Sequence, residues 1–385
     1  PWVYGAETSG PDRPCQNGDL VDVVSQKGRW LGTGLYNNHS KILVRLLSRN
    51  TNDRFDQGFW RRRLRYALDY RKTVMGPDYA CCRLIFGEAD QFPGLTVDRF
   101  GDILVTEVLS LGMEVRKDLL YPLLVDLLRE DGVTVRAIYE RSDAPLRDKE
   151  GLPKVTGFYP LPGLATDLDG HLLLEENGIR YDVDYIHGQK TGFFLDQKYN
   201  RRAAAALAPG RKVLDCFTHT GAFALNCAQA GAAQVTAVDI SQEAVALTQR
   251  NAALNGLEGK VEARQADVFD LLTQLAQAGG HPYDYIILDP PAFTKSGATV
   301  KNAFRGYKEI NYKAMKLLPR GGYLATCSCS HFMTPALFCQ MLREAAADAA
   351  VSLRQIADRR QAPDHPILWG VPETEYLKFY LFQVI

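Results

Sequence analysis

From about residue 201 onward, short β-rich runs alternate with longer runs of helical periodicity, and this restricts the fold more than any other feature. The short runs are Lys212–Phe217, Gln234–Asp239, Val261–Gln265, Tyr283–Leu288 and Gly322–Cys327. The helical ones are Ala222–Ala230, Gln242–Asn255, Val268–Gln277 and Tyr307–Leu317. Strand and helix in turn predict a parallel, doubly wound α/β sheet of Rossmann-like type, covered on both faces. Ligands of such sheets bind outside the carboxyl ends of the strands. The residues with useful chemistry fall at those ends.

The front of the chain reads differently. Asp19–Gln26, Arg29–Tyr36 and Ile42–Ser48 are close strands, separated by turn residues, which predicts a small β-barrel or meander. Asp53–Tyr70 follows as a helix, with Phe55, Phe59, Leu64 and Leu68 on one face. Cys82–Phe86, Leu95–Phe100, Ile103–Val108 and Val135–Glu140 are further strands, with a helix at Val115–Leu128. Pro153–Pro162 reads as a linker, and Leu172–Glu175 with Ile179–Tyr185 as a hairpin across Glu176-Asn177-Gly178. Three domains are expected: 1–70, a central α+β domain over 71–165, and 166–385 for the hairpin and the wound sheet.

Composition excludes several classes. With 46% hydrophobic and 23% charged residues, the chain is globular rather than disordered. No apolar run is as long as a bilayer span, and Pro1-Trp2-Val3-Tyr4 has no secretory character, so no membrane partner is expected. The eight cysteines form no Cys-x-x-Cys pair, which argues against zinc or a disulfide framework and for a reducing cytoplasm. Net charge is zero, yet residues 1–72 hold thirteen Lys/Arg against seven Asp/Glu. The densest part, Arg61-Arg62-Arg63-Leu64-Arg65 after Trp60, is either a phosphate-contact surface or a solvated helix face.

The strand ends define a nucleoside-type site. The turn Phe217-Thr218-His219-Thr220-Gly221 leads from the first strand into a helix, where backbone amides can face a polar ligand. It has one glycine, so a pyrophosphate fingerprint is disfavoured. Asp239, followed by Ile240, ends the second strand and can accept two ribose hydroxyls. Asp267 can accept an adenine amino group while Val268 or Phe269 packs the ring. Asp289-Pro290-Pro291-Ala292-Phe293 ends the fourth, and Thr326-Cys327-Ser328-Cys329-Ser330 the fifth.

This series resembles the motifs of class I S-adenosylmethionine-dependent methyltransferases. More narrowly, Gly188–Gln197 with Asn200-Arg201, the Thr326–Ser330 motif, Ala362–Pro366 and Tyr376-Leu377-Lys378 resemble bacterial 23S ribosomal RNA cytosine-5 methyltransferases of the RlmI type. The likeness is strong over about 170–385. The resemblance implies an N-terminal PUA-type RNA-binding domain, S-adenosylmethionine as cofactor and 23S ribosomal RNA as partner. It implies no metal and leaves a homodimer open. The start of the chain resembles a segment inside that PUA domain, so the barrel is expected to lack its first strand. By the same resemblance Asp239 holds the ribose, Asp267 the adenine and Phe217–Gly221 the methionine part, while Gln197 and Arg201 close the pocket.

Methylating a pyrimidine at carbon 5 needs a nucleophile at carbon 6, because the ring carbon is too poor in electrons to react unaided. Cys327 is expected in that role, with Asp289 bonded to ring nitrogen 3, and neighbouring amides are expected to lower the thiol pKa. Cys329 shares the face of Cys327 if the strand continues. Related RNA cytosine-5 methyltransferases place a second cysteine directly after the motif proline, where this chain has Pro291-Ala292. Pro290, Phe293 and Lys295 are expected near the substrate. Uracil-5 methylation uses the same thiol chemistry. Amino-group methylation would instead use Asp289-Pro290-Pro291-Ala292-Phe293, with Phe293 stacking a flipped base.

Overall fold

The computed structural model describes residues 1–385, and the chain divides into two interleaved compact units. The first comprises 1–174, 183–195 and 363–374; the second comprises 175–182, 196–362 and 375–385.

The first unit opens with an antiparallel sheet of β1 (Trp2–Tyr4), β2 (Leu20–Val24), β3 (Trp30–Tyr36) and β4 (Ile42–Ser48), in the order β1-β4-β3-β2. Strands β1 and β2 form its two edges, so the sheet is open rather than a closed barrel. Helix α1 (Gln57–Met75) starts at Asp56, whose carboxylate accepts the Phe59 N–H, and it buries Phe59, Trp60, Leu64 and Leu68. A second sheet, in chain order, holds β5 (Cys81–Phe86), β6 (Leu95–Phe100), β7 (Ile103–Val108), β8 (Ala137–Ser142) and β9 (Val155–Phe158). Between β7 and β8 run the short α2 (Leu111–Glu114) and α3 (Lys117–Glu130). Strand β9 corrects the linker expected at Pro153–Pro162. Its prolines flank a strand that pairs antiparallel with β8 at the sheet edge, where a missing N–H is tolerated.

Buried charges tie the later segments into this unit. Arg83 forks onto Asp98 at 2.7 and 2.8 Å, and the Thr191 hydroxyl donates to the same carboxylate at 2.6 Å. Asp364 accepts the Arg83 N–H at 2.8 Å and lies 2.9 Å from His365 Nδ1. His365 is therefore a packed structural histidine.

The hairpin β10 (His171–Glu176) and β11 (Ile179–Asp184) turns at Asn177 and Gly178, both with positive φ. After α4 (Lys198–Ala205), the second unit alternates as the periodicity predicts. Its elements are β12 (Lys212–Cys216), α5 (Ala222–Gln229), β13 (Gln234–Asp239), α6 (Gln242–Leu254), β14 (Val261–Gln265), α7 (Val268–Ala278), β15 (Tyr285–Leu288), α8 (Val300–Leu317) and β16 (Tyr323–Ser328). Helix α9 (Pro335–Asp348), β17 (Leu353–Arg359) and β18 (Lys378–Val384) complete it. The sheet order is β14-β13-β12-β15-β16-β18-β17. Strands β12 to β16 are parallel, and β18 enters antiparallel between β16 and β17. All four residues of β15 are buried, as a strand covered on both faces requires. Strand order reverses between β12 and β15, which opens the crevice where a wound sheet takes its ligand.

Candidate active site

At the end of β12 the chain turns through Phe217 (φ 65°), His219 (φ 53°) and Gly221 (φ 78°). Left-handed backbone at non-glycine residues is costly and concentrates at functional sites. At Gly221 a side chain is disfavoured twice over: the φ is positive, and a Cβ would meet Thr248 Cγ2 at 2.7 Å. Asp239 holds the turn by accepting the His219 N–H at 3.0 Å, while its other oxygen takes the Ser241 N–H at 3.0 Å. Burial pushes His219 down to about 4, so the imidazole is neutral near pH 7. Beside Asp239, Ile240 stands 65% exposed, an apolar surface suited to a flat ring. Thr220 is buried behind the turn.

Asp267 is exposed at the end of β14 and caps α7, accepting the Phe269 N–H at 2.7 Å through Oδ1. Val268 is sunk in the core, and Phe269 is half-buried.

At the ends of β15 and β16, Asp289 and Cys327 meet. Gln197 Nε2 donates to the Asp289 carboxyl at 3.1 Å, and Asp289 and the Cys327 thiol each shift the other's pKa. Gln197 is set by Asn200 Nδ2 at 2.7 Å, and Asn200 by Arg359 Nε at 3.0 Å. Desolvation, then repulsion from Asp196, pushes Asp289 up to about 7. Asp215, fully buried on β12, is also pushed by burial to about 7; its Oδ1 has no hydrogen-bond partner.

Exposure reverses the order expected for the two thiols. Cys327 is 0% exposed, and burial, then the Asp289 charge, drives its thiol pKa well above the ordinary range rather than below it. Backbone amides do not offset this, because Cys327 sits inside β16, paired with Phe379 of β18. Cys329 lies one residue past the strand, partly exposed.

Other expected residues stand elsewhere. Arg201 forks its guanidinium onto Glu176 at 2.7 and 2.8 Å, with both groups buried, and its charge acts on His219 and Asp289. Truncating one partner leaves an unpaired buried charge, so Arg201→Met is expected to cost about 3–5 kcal/mol in urea unfolding. Phe293 is partly buried. It packs at 4.5 Å from Tyr307 and 5.8 Å from Phe269, ring centre to ring centre. Pro290 is buried and Lys295 exposed. In the first unit the arginine run is largely neutralised. Arg61 pairs with Glu130, Arg62 with Asp53 at 3.3 Å, and Arg63 turns inward to donate to Leu47 O at 2.9 Å. Arg63 is therefore no free phosphate contact.

Sequence reasoning singled out Lys378 only within the Tyr376-Leu377-Lys378 resemblance and gave it no role; its buried ammonium lies in the field of Cys329. The signal was present: a lone lysine before the apolar run Phe379–Phe382.

A family model for S-adenosylmethionine-dependent methyltransferases matches residues 166–383, and one for PUA-like domains matches 1–49. Ribosomal RNA large subunit methyltransferase I of Shewanella denitrificans is 41% identical over 98% of this chain and 94% of its own. The protein of the same name from Escherichia coli O139:H28 is 38% identical over 100% and 95%. The fold is shared with a methyltransferase from Streptococcus mutans (TM-score 0.82, 21% identity, 99% and 95% covered). It is shared equally with a methyltransferase structure complexed with SAH (TM-score 0.83, 20% identity, 99% and 95% covered). A catalytic unit built on strand-end carboxylates, a PUA-like front sheet and full-length likeness agree: the chain belongs to the ribosomal RNA large subunit methyltransferase I family of S-adenosylmethionine-dependent methyltransferases.

Proposed function

We propose that this enzyme forms 5-methylcytidine in 23S ribosomal RNA, in the cytoplasm, through a cysteine adduct at carbon 6, with Cys329 as the nucleophile and Asp289 as the acid. The carrying observation is a partly exposed thiol just past β16, the strand paired with β15, whose end holds a carboxyl pushed up to about 7 by burial. The names of the relatives support the RNA substrate.

The residues present fit S-adenosylmethionine. Gly221 leaves bare backbone at the turn, Asp239 keeps unused lone pairs on both oxygens for ribose hydroxyls, and exposed Ile240 offers a face to adenine. Asp267, capping through one oxygen, keeps the other for the adenine amino group. When bound, the cofactor supplies an electrophilic methyl group.

The chain's own residues prepare the pyrimidine. The Cys329 thiolate bonds to carbon 6, and the ring's electron pair shifts onto carbon 5 and nitrogen 3. Protonated Asp289 donates to nitrogen 3 and carries the charge that builds there. Once carbon 5 is methylated, a base removes its proton, the double bond re-forms and the thiolate leaves carbon 6. Gln197, bonded to Asp289, holds the carboxyl in place. The target must leave its stack to reach the thiol. We assign RNA gripping to the front of the chain, in a three-part division at 70 and 165.

The test is transfer of labelled methyl to unmodified 23S RNA, followed by nucleoside analysis. Label in 5-methylcytidine is expected. Label in 5-methyluridine would keep the thiol chemistry and change the base, and label on an exocyclic amino group would overturn the adduct.

A further inference from the structure

We propose that Lys378 is a positioning residue for the nucleophile, the buried counter-cation that holds Cys329 as a thiolate. The inference deepens the thiol-addition mechanism above and rests on it for its catalytic meaning.

Lys378 opens β18 directly across from Ser328, the residue before Cys329. Its side chain is only 1% exposed. Nζ donates to Ser330 O at 2.6 Å and Tyr376 O at 2.7 Å, which uses two of its three donors. Both acceptors are neutral carbonyls. Glu375, the carboxylate in its field, is bonded to Arg360 Nε at 2.8 Å, and Arg360 also pairs with Asp358. Burying an ammonium without a counter-charge is expensive, and such groups are normally paired. The remaining group that can supply negative charge is the Cys329 thiol, one residue from the carbonyl that anchors Nζ.

Burial pulls the lysine down to about 8, and a Cys329 thiolate acts the other way, favouring the ammonium. The interaction is mutual, so the ammonium favours the thiolate. Cys327 and the Tyr307 phenol share the same neighbourhood and oppose ionisation of Cys329 when charged. Arg360 and Glu375 lie in the field of the lysine. A low thiol pKa beside a lysine is a general way to make a cysteine reactive.

Alkylation by iodoacetamide between pH 6 and 10, read on the Cys329 peptide by mass spectrometry of the full chain, tests this without RNA or cofactor. In the unmodified protein the Cys329 midpoint is expected below the ordinary value of ~8.5. Lys378→Met is expected to raise it by about one unit or more, which slows alkylation at pH 7 about tenfold. Lys378→Arg is expected to recover most of that rate. Superposable profiles for the Met variant and the unmodified protein, with folding checked by circular dichroism, would overturn the proposal. If the Met variant does not fold, the unmodified profile decides: a midpoint at or above ~8.5 overturns the pairing, and one below it supports it. A depressed midpoint together with no 5-methylcytidine would leave the ion pair standing and sink the proposed reaction.

Discussion

Cys329→Ala lowers 5-methylcytidine formation by about a thousandfold or more, the scale expected when a covalent nucleophile is removed. Cys327→Ala lowers it by about tenfold or less. The contrast follows from position. Cys327 is enclosed within β16 in the field of Asp289, so its loss alters the surroundings of the carboxyl without removing a bond-forming atom. Cys329 lies past the last ladder pair, where a ring can approach. Single-turnover transfer of labelled methyl to 23S RNA gives the rates. RNA carrying 5-fluorocytosine gives the bond itself, because fluorine cannot leave as the proton does and the adduct persists on a denaturing gel. The band is expected in the Cys327→Ala variant and absent from Cys329→Ala. The opposite pattern would return the nucleophile to Cys327 and require β16 to open during catalysis.

Asp215→Asn is expected to remove a pH-dependent loss of stability worth about 4 kcal/mol. Asp215 is an acid whose pKa rises from 3.8 unfolded to about 7 folded. The folded state therefore holds the proton more tightly. The resulting stability is fully present below the unfolded value, and it drains away as pH rises through about 7. The cause is burial, with Oδ2 satisfied by Thr218 at 2.6 Å and the Ala224 N–H at 3.0 Å while Oδ1 has no partner. Asparagine keeps the acceptor and never ionises. Calorimetry between pH 5 and 8 is expected to show the variant gaining on the unmodified protein as pH rises. A constant difference across that range would place the Asp215 pKa outside it. Asp289 follows the same sign, and Asp289→Asn is expected to flatten a second, similar slope.

The central strand of the wound sheet was legible because a parallel strand buried on both faces is a continuous apolar run, as in β15. The predicted Gln234–Asp239 and Val261–Gln265 are the observed β13 and β14, the latter a largely polar edge strand marked out by the spacing of its neighbours. Helix α8 starts at Val300, seven residues before the expected Tyr307; its first turns do carry an apolar face in Val300, Ala303 and Phe304, interrupted by Lys301, Asn302, Arg305 and Gly306. The antiparallel insertion of β18 between β16 and β17 was not readable, since pairing partners leave no mark in local periodicity. At the site, the carboxylates could be placed because a strand end fixes where the next residue lies. The fates of Arg201 and Arg63 depended on Glu176 and on the Leu47 carbonyl, partners distant in sequence. Likewise, two cysteines two residues apart look equivalent until the strand is seen to stop at Ser328.

The interleaved division of the chain bears on how the protein is made. The first unit draws on residues 1–174, yet Arg83 is bonded through its backbone N–H to Asp364, near the far end of the sequence. During synthesis the front sheets emerge long before that carboxylate does, and the Arg83–Asp364 link cannot close until almost the whole chain has left the ribosome. A clean cut at residue 166 would therefore strand 183–195 and 363–374 on the wrong fragment. Full-length translation, rather than modular assembly, is the route by which the first unit reaches its native form.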